Sequence, residues 1–436
     1  MKTKTISHML FAVLIISIIG CESKVKTEKT DVKKKAVTMS LTNSTLPGAS
    51  TLAFGPENVL FVGDSRNAMI HAITTEATEL KDPVPYNFMA VDKVIADKLG
   101  VSPTDIIISD MKVHPLSQEA YIAVKRGHAA DAKSLIAIAN PQSMDVRFLD
   151  ISKAKHTKAS IQNPVTETPN FWRDIPANSL TITDMDYHNG IVYVAGLTNG
   201  EFASSLRKIA YPFDGTQKAV ASIEMYHAVH TQMETRAPIR TMLFEDIDGE
   251  STLIASYTCT PLVTIPTKEI VEGNHVKAKT IAELGFGNVP IDMITFMAQE
   301  MDGSFDKKLL ITNKQRSGSL ISLRDLAKAN KGNGLTGFTQ GPEGVEIFPV
   351  PLSGVMHIDE QNQMMLALLR RNIETGGVDM LSELKGAYFR LSDFINEYDF
   401  ADYNYTEGGK IWKGFHDMIK PLEGYPELIS DNAEKK

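Results

Sequence analysis

Aliphatic and polar positions follow a repeating pattern along the chain. Short strand-like runs begin around Leu52 (S-T-L-A-F), Met111 (S-D-M-K-V), Met185 (T-D-M-D-Y), Met242 (R-T-M-L-F), Met293 (I-D-M-I-T-F) and Met356 (V-M-H-I-D). Each is followed by a polar hairpin and a second β-branched or aliphatic run, starting at Val59, Ala120, Ile191, Thr252, Leu309 and Met364. Such runs, bounded by turn residues, read as buried strands. Third strands are expected from Met69, Ser134, Ser205, Pro261, Ser319 and Ala387, and fourth strands from Val146, Val220, Lys279 and Val345. Between the first two units, Ala90 to Leu99 has helical spacing of its apolar residues and a terminal Gly100, which predicts a short helix.

The spacing of the starts, roughly 50 to 75 residues, lies at or above the upper end of propeller repeat lengths. Six units of about four strands predict an all-β chain folded as a six-bladed β-propeller, with seven blades as the alternative. The sixth unit offers three strands before turning aromatic, and the run A-V-T-M-S-L from Ala36 precedes the first inner strand as a fourth strand precedes each later one. The expectation is that Ala36 to Leu41 completes the last blade and closes the ring. The single propeller domain is then 36–425, with a polar tail at 426–436. This pattern resembles six-bladed propellers of the broad lactonase, NHL and TolB-like kind, a resemblance of architecture that implies no one activity.

The first residues have a different logic. Lys2 and Lys4 precede an apolar stretch from Met9 to Gly20, too short for a comfortable membrane span, which ends I-I-G-C at Cys21. It resembles a bacterial lipoprotein signal with its lipobox. That resemblance implies removal of residues 1–20, a lipid on Cys21, membrane attachment through that lipid, and a location in the cell envelope outside the cytoplasm. Residues 21–35 are Lys-rich and nearly free of apolar side chains, a composition that predicts a flexible tether.

The formal charge is −8, and loss of Lys2 and Lys4 with the leader makes it about −10. This balance gives no electrostatic case for nucleic acid. Lipidation of Cys21 would leave Cys259 as the one other cysteine, so no intrachain disulfide is expected.

Candidate chemistry concentrates in Tyr226 to Arg240, Y-H-A-V-H-T-Q-M-E-T-R-A-P-I-R. His227 and His230 are three apart and Glu234 follows. Imidazole, carboxylate and, from the next strand pair, the Cys259 thiol suit a transition metal such as Zn or Cu. The alternative is that the histidines are loop hydrogen-bonders and Cys259 is core. Arg236, Arg240, Arg316 and Arg370, with Arg371, would make a loop-rich mouth positive, which suits a carboxylate or phosphate on a small-molecule or protein ligand; salt bridging between blades weighs equally. Tyr257, Asn288, Asp292 and His357 are placed near that mouth. Asp110, Asp184 and Asp292 sit near starts of inner strands, where they either line the channel or cap strand ends. Two functions compete: a ligand- or partner-binding module, with or without a metal, and a metal-dependent redox or hydrolytic enzyme using His227, His230 and Cys259.

Overall fold

A computed structural model describes residues 45–82, 84–129, 132–166, 176–214, 217–300 and 303–388. The chain divides into two compact units, residues 1–39 and 40–436, and all the described residues belong to the second. The leader, Cys21, the tether, the run Ala36 to Leu41 and the tail from Glu397 lie outside the described residues. Among those described, no helix is long and apolar enough to cross a membrane.

The chain begins with β1 (Ala49–Phe54), β2 (Val59–Asp64) and β3 (Met69–Thr74). A two-residue strand β4 (Asn87–Phe88) and helix α1 (Val91–Leu99) lead to β5 (Ile106–Val113), β6 (Ala120–Arg126), β7 (Lys133–Asn140) and β8 (Asp145–Phe148). After β9 (His156–Ser160) come β10 (Asp184–His188), β11 (Ile191–Leu197), β12 (Ser204–Ala210) and β13 (Gln217–His227). The short return β14 (Gln232–Glu234) precedes β15 (Ile239–Ile247), β16 (Glu250–Tyr257), β17 (Pro261–Pro266) and β18 (His275–Leu284). Then follow β19 (Pro290–Gln299), β20 (Phe305–Asn313), β21 (Gly318–Ser322), helix α2 (Leu323–Asn330), β22 (Pro342–Gly344) and β23 (Phe348–Val350). The last described strands are β24 (Val355–Glu360), β25 (Met365–Arg371) and β26 (Val378–Leu384).

Four sheets have four strands each, in the orders β1-β2-β3-β9, β5-β6-β7-β8, β19-β20-β21-β23 and β24-β25-β26-β4. A ten-stranded sheet consists of the antiparallel runs β10-β11-β12-β13 and β15-β16-β17-β18, joined where β13 and β18 pair in parallel with Ser222 opposite His275. The first strand of each run lies innermost. These inner strands touch one another in a closed circuit, β1–β5–β24–β19–β15–β10 and back to β1. The result is an all-β, propeller-like ring of sheets.

The ring does not follow chain order at its start. The β5–β8 sheet lies between the β24–β26 sheet and the β1–β3 sheet, so the second unit in sequence precedes the first in space. Closure follows from this. The outer position of the last sheet is held by Asn87–Phe88, with Phe88 opposite Met380; the run at Ala36, expected there, lies outside the described residues. The outer strand of the β1–β3 sheet is β9, with Lys158 opposite His71. Both pairings cover strand edges that would otherwise be open to another chain.

Helix α1 forms where its spacing predicts it. Val91, Ile95, Ala96 and Leu99 face a core shared by Met111, Ile122, Val124, Leu369 and Met380, so the helix fills the wedge between the second and last sheets. Gly100, at φ 67°, ends it by bonding back to the carbonyls of Ala96 and Asp97. Two elements depart from expectation. The third strand of the last sheet is Val378–Leu384, not the run from Ala387. This strand departs from the apolar pattern because it buries polar groups: Asp379 accepts from Ala90 N–H at 2.7 Å, and Ser382 Oγ accepts from Tyr86 N–H at 2.6 Å. Helix α2 was not expected; Ser322 caps it, its hydroxyl accepting from Arg324 and Asp325 N–H.

The inner strands are tied together by side chains. Asp110 Oδ2 accepts the Leu52 N–H of β1 at 2.7 Å, and Asp184 Oδ2 accepts the Met242 N–H of β15 at 2.6 Å. Asp292 Oδ2 accepts the Ile358 N–H of β24 at 3.2 Å, and Asp359 Oδ2 accepts the Val113 N–H of β5 at 2.7 Å. All four reach to the next inner strand in the same rotational sense. At the two remaining boundaries the equivalent positions are Thr51 on β1 and Thr241 on β15, whose side chains are too short for the reach. There the hydroxyl of Ser65 donates to Ile182 O, and that of Thr295 donates to Glu245.

Burial pushes the Asp184 carboxyl well above its ordinary range, so its bond is weighed as a neutral one; leaving the buried Met242 N–H without an acceptor costs roughly 1–3 kcal/mol. Asp184→Ala should therefore destabilise the ring by about 1–3 kcal/mol in urea unfolding, whereas Asp184→Asn, which keeps a carbonyl acceptor, should lose less than half of that. Equal losses would show that the clasp is not the source of the effect.

Candidate functional site

The ties just described sit beside a second regularity. Five inner strands carry a β-bulge near their start, between Ala49 and Thr51, Ile108 and Asp110, Ile239 and Thr241, Pro290 and Asp292, and Val355 and His357, and two of the five lie immediately before a tying aspartate. A bulge adds one residue and re-aims its side chain. The added residues Ser50, Ser109, Arg240, Ile291 and Met356 all line a cavity of about 820 Å³ at the end of the channel where the inner strands begin, and Thr183, preceding Asp184, joins them. In ring order, Arg240, Thr183, Ser50 and Ser109 form one contiguous polar arc, and Met356 and Ile291 form an apolar one.

Two further cations reach this cavity. Lys314 follows β20 and Arg371 ends β25. Arg371 is held in place, donating through Nη1 to Gly376 O at 2.8 Å. No aspartate or glutamate is among the described residues lining the cavity. Its charge is thus positive, against a chain of net charge −8.

The other end of the channel has the opposite character. A cavity of about 460 Å³ is lined by Asp184, Asp186, Asp292, Asp359 and Glu360, with Lys112 as its one lysine. Burial pushes Asp186 and Asp359 up to about 6. Lys112 Nζ lies 3.7 Å from Asp292 Oδ1. Burial alone would lower this lysine, but Asp292, Asp359, Asp110 and Asp184 together hold it well above its ordinary value. Between the two cavities, His357 Nδ1 lies 3.6 Å from Asp110 Oδ1 and 3.7 Å from Asp292 Oδ2. These three side chains are clustered closely enough to hold a cation. Their carboxylate oxygens, however, already accept strand N–H groups from Leu52, Met111, Met293 and Ile358, and Lys112 supplies a positive charge. This waist is read as a structural girdle.

The His227 cluster lies elsewhere on the molecule, at the hairpin between β13 and β14; none of its members lines either cavity. His227 sits opposite Gln232 and Met225 opposite Glu234 in the ladder, so His227 and Glu234 project from one face. The turn folds His230 back over them, its ring centroid 4.0 Å from that of His227. Glu234 Oε1 is 2.8 Å from His230 Nδ1 and 3.5 Å from His227 Nδ1. On its other side, His227 Nε2 is 3.0 Å from the Thr260 hydroxyl, which donates to the buried carboxylate of Glu283. Burial lowers the His227 imidazole and raises Glu283. For Glu234, burial works upward, but hydrogen bonds from His230 and Gln232 outweigh it and hold the carboxyl below its usual range.

Cys259 does not join this set. It is half-buried, its thiol is pushed up by burial and faces the Thr260 hydroxyl and the Gly287 backbone, and it is absent from the convergent ligand atoms. The thiol comes from the same turn as Thr260. Of the residues assigned to the mouth, Arg240 and His357 line the upper cavity and Asp292 the lower one. Tyr257 is buried in the core around Met242 and Val263. Asn288 is buried and donates to Asn313. Arg316 and Arg370 donate to the carbonyls of Phe286 and Ser353, and Arg236 is exposed outside both cavities.

Asp186 gives a test of the channel's charge. Its folded pKa exceeds its unfolded value, so the folded state binds the proton more tightly, and stability falls as pH rises from about 4 to about 6. Above that range the ionised group costs stability; the full shift would be worth roughly 3 kcal/mol, and water in the half-open channel reduces this to about 1. Asp186→Asn should be more stable than wild type by about 1 kcal/mol at pH 8 and equal to it near pH 4. A difference independent of pH in urea titrations would refute this reading.

No family model matches the sequence, and no curated protein matches it. Solved structures do resemble it. The PQQ-bound aldose sugar dehydrogenase from Streptomyces coelicolor aligns over 78% of this chain and 94% of that one, at 11% identity and a TM-score of 0.32. The full extracellular region of plexin A4 aligns over 78% of this chain and 47% of that one in one crystal form, at 8% identity and a TM-score of 0.37; in a second crystal form the figures are the same except that 40% of that chain is covered.

Proposed function

We propose that the protein is a cell-envelope lipoprotein whose propeller binds a small anionic molecule at the positive end of its channel. The observation that carries this reading is the convergence of Arg240, Lys314 and Arg371 on a cavity lined by no described carboxylate. Its volume of about 820 Å³ suits a small organic ligand. Guanidinium groups favour carboxylate or phosphate. The arc of Thr183, Ser50 and Ser109 beside Arg240 offers hydroxyls to such a head group, while Ile291 and Met356 offer an apolar wall to the rest of the ligand. The ligand is therefore read as an anion with an apolar body.

Counting the ten-stranded sheet as two blades gives six, and we take residues 36–425 as one domain on this count. Attachment rests on the lipobox at Cys21: the lipid would hold the domain at the membrane through a tether of residues 21–35. The enzymatic alternative rests on the His227 cluster and requires a bound metal first.

Two experiments test this reading. Straight-chain carboxylates from butyrate to decanoate and inorganic phosphate are titrated calorimetrically into wild type and the Arg240→Ala, Lys314→Ala double variant. At least one carboxylate should bind wild type, and the double variant should lose about tenfold or more in affinity, as expected for loss of charge-assisted contacts. Absence of binding across the series, or equal binding by the variant, would overturn the ligand reading. Separately, Cys21→Ser should move the protein from the membrane fraction to the soluble exported fraction with its circular dichroism unchanged; retention on membranes after alkaline washing would exclude the lipid anchor.

A further inference from the structure

We propose that the hairpin joining β13 and β14 is a binding site for a divalent transition metal, independent of the channel, with His227 Nδ1, His230 Nδ1 and Glu234 Oε1 as its protein ligands. These three atoms all lie within 4.8 Å of one another. Two imidazoles and one carboxylate form a donor set that suits zinc, copper or nickel.

What distinguishes the site from a casual surface cluster is the support behind His227. That imidazole is 2% exposed and has a polar partner on each side. The Thr260 hydroxyl lies 3.0 Å from Nε2 and gives its single proton to Glu283. With that proton committed, the Thr260 oxygen can only accept, so Nε2 must carry the hydrogen. The lone pair is then on Nδ1, the atom that faces Glu234 and His230. Glu283 is itself fixed, its Oε1 accepting the Ala228 N–H at 2.8 Å. A carboxylate that accepts the second ring N–H of a ligating histidine and so sets its tautomer is the usual outer-sphere device of metal sites. Here it acts through a threonine.

Charge and access agree with this assignment. A dication among Glu234 and Glu283 would be balanced by two carboxylates. His230 is half-exposed, and Glu234 retains about a fifth of its side-chain exposure, so an ion can enter from solvent and keep a water or an external ligand. His230 Nδ1 and Glu234 Oε1 are now at hydrogen-bond distance, 2.8 Å. Rotation of these two exposed side chains would open the angle a metal needs without moving the strands.

The test uses the full chain and Co²⁺, whose visible absorption reports its coordination, with Zn²⁺ as competitor. Wild type should bind one Co²⁺ per chain, displaceable by Zn²⁺, and binding should weaken as pH falls below about 6, where imidazoles protonate. His230→Ala, at an exposed position, should abolish the absorption while leaving circular dichroism unchanged. Thr260→Val keeps all three ligands and removes only the relay; it should weaken binding about 10- to 100-fold, and Thr260→Ser should restore it. Wild type that binds no Co²⁺, or binds it no more tightly than His230→Ala, overturns the site. If Thr260→Val binds like wild type, the relay is overturned. Because none of these residues lines the channel cavity, carboxylate binding there should be the same in His230→Ala as in wild type, so failure of one reading is distinguishable from failure of the other.

Discussion

The ring depends on how adjacent inner strands are held at their shared boundary. The inner strands of neighbouring sheets make no ladder hydrogen bonds with one another, and near the axis there is little room for large apolar side chains. The chain meets this constraint with aspartate. Each of Asp110, Asp184 and Asp292 stands just before a buried methionine, and each accepts a backbone N–H from the next inner strand. Asp359 does the same one layer further along. Lys112 lies among them and favours their ionised forms, enough to hold Asp292 below its ordinary range, whereas at Asp110, Asp184 and Asp359 burial outweighs it and raises the carboxyl. A buried anion without such a cation would sooner take up a proton.

The same architecture explains why the two ends of the channel differ in sign. Asp184 ties to its neighbour without a bulge, but Asp110 and Asp292 each follow one, which inserts one extra residue. That residue is freed from the ladder and turns towards the mouth. The waist and the floor of the channel are thereby acidic as a consequence of structure. The mouth is lined by whatever the five bulge positions and Thr183 carry, here two serines, an arginine, an isoleucine and a methionine beside the threonine. Binding chemistry can vary at those six positions without touching the ties that hold the ring. Arg240 sits in a bulge beside Thr241, one of the two inner-strand positions that carry no tie. The largest cation of the set thus occupies a boundary where the backbone is least constrained by carboxylates.

Much of this was legible in the sequence, and the limits have physical causes. The repeated Asp-Met pairs mark inner strands because strand and tie need the same two residues in succession. The second strands were legible because full burial makes them continuously apolar, as in V-L-F-V-G-D from Val59. Ring order was not legible: periodicity says that a segment is a strand, not which strand lies beside it. The two-residue strand Asn87–Phe88 carries no pattern at all, yet it closes the last sheet. Val378–Leu384 carries no strand pattern because Asp379, Ser382 and Glu383 are buried within it, reversing the usual relation between polarity and exposure. The bulges were hidden too, because inserting one residue into an alternating pattern looks like an irregular strand start.

The hairpin cluster shows the same division at the level of chemistry. His227, His230 and Glu234 are close in sequence, and their convergence follows from a tight turn between paired strands, so spacing alone could suggest it. The groups that set the state of His227 come from β18 and from the turn before β17, and nothing local to the hairpin points to them. Thr260 reads as an ordinary turn residue, and Glu283 as one charge in a strand otherwise aliphatic at that end, A-E-L. Yet a carboxylate with 0% exposure inside a sheet requires committed donors, and Glu283 has them in the Thr260 hydroxyl and the Ala228 N–H. The Ala228 bond ties the hairpin turn to the neighbouring strand, and the Thr260 bond fixes the imidazole. One buried charge therefore holds both the backbone and the side chain of the same site, which is why the hairpin can present two histidines on a fixed frame while its outer residues stay open to solvent.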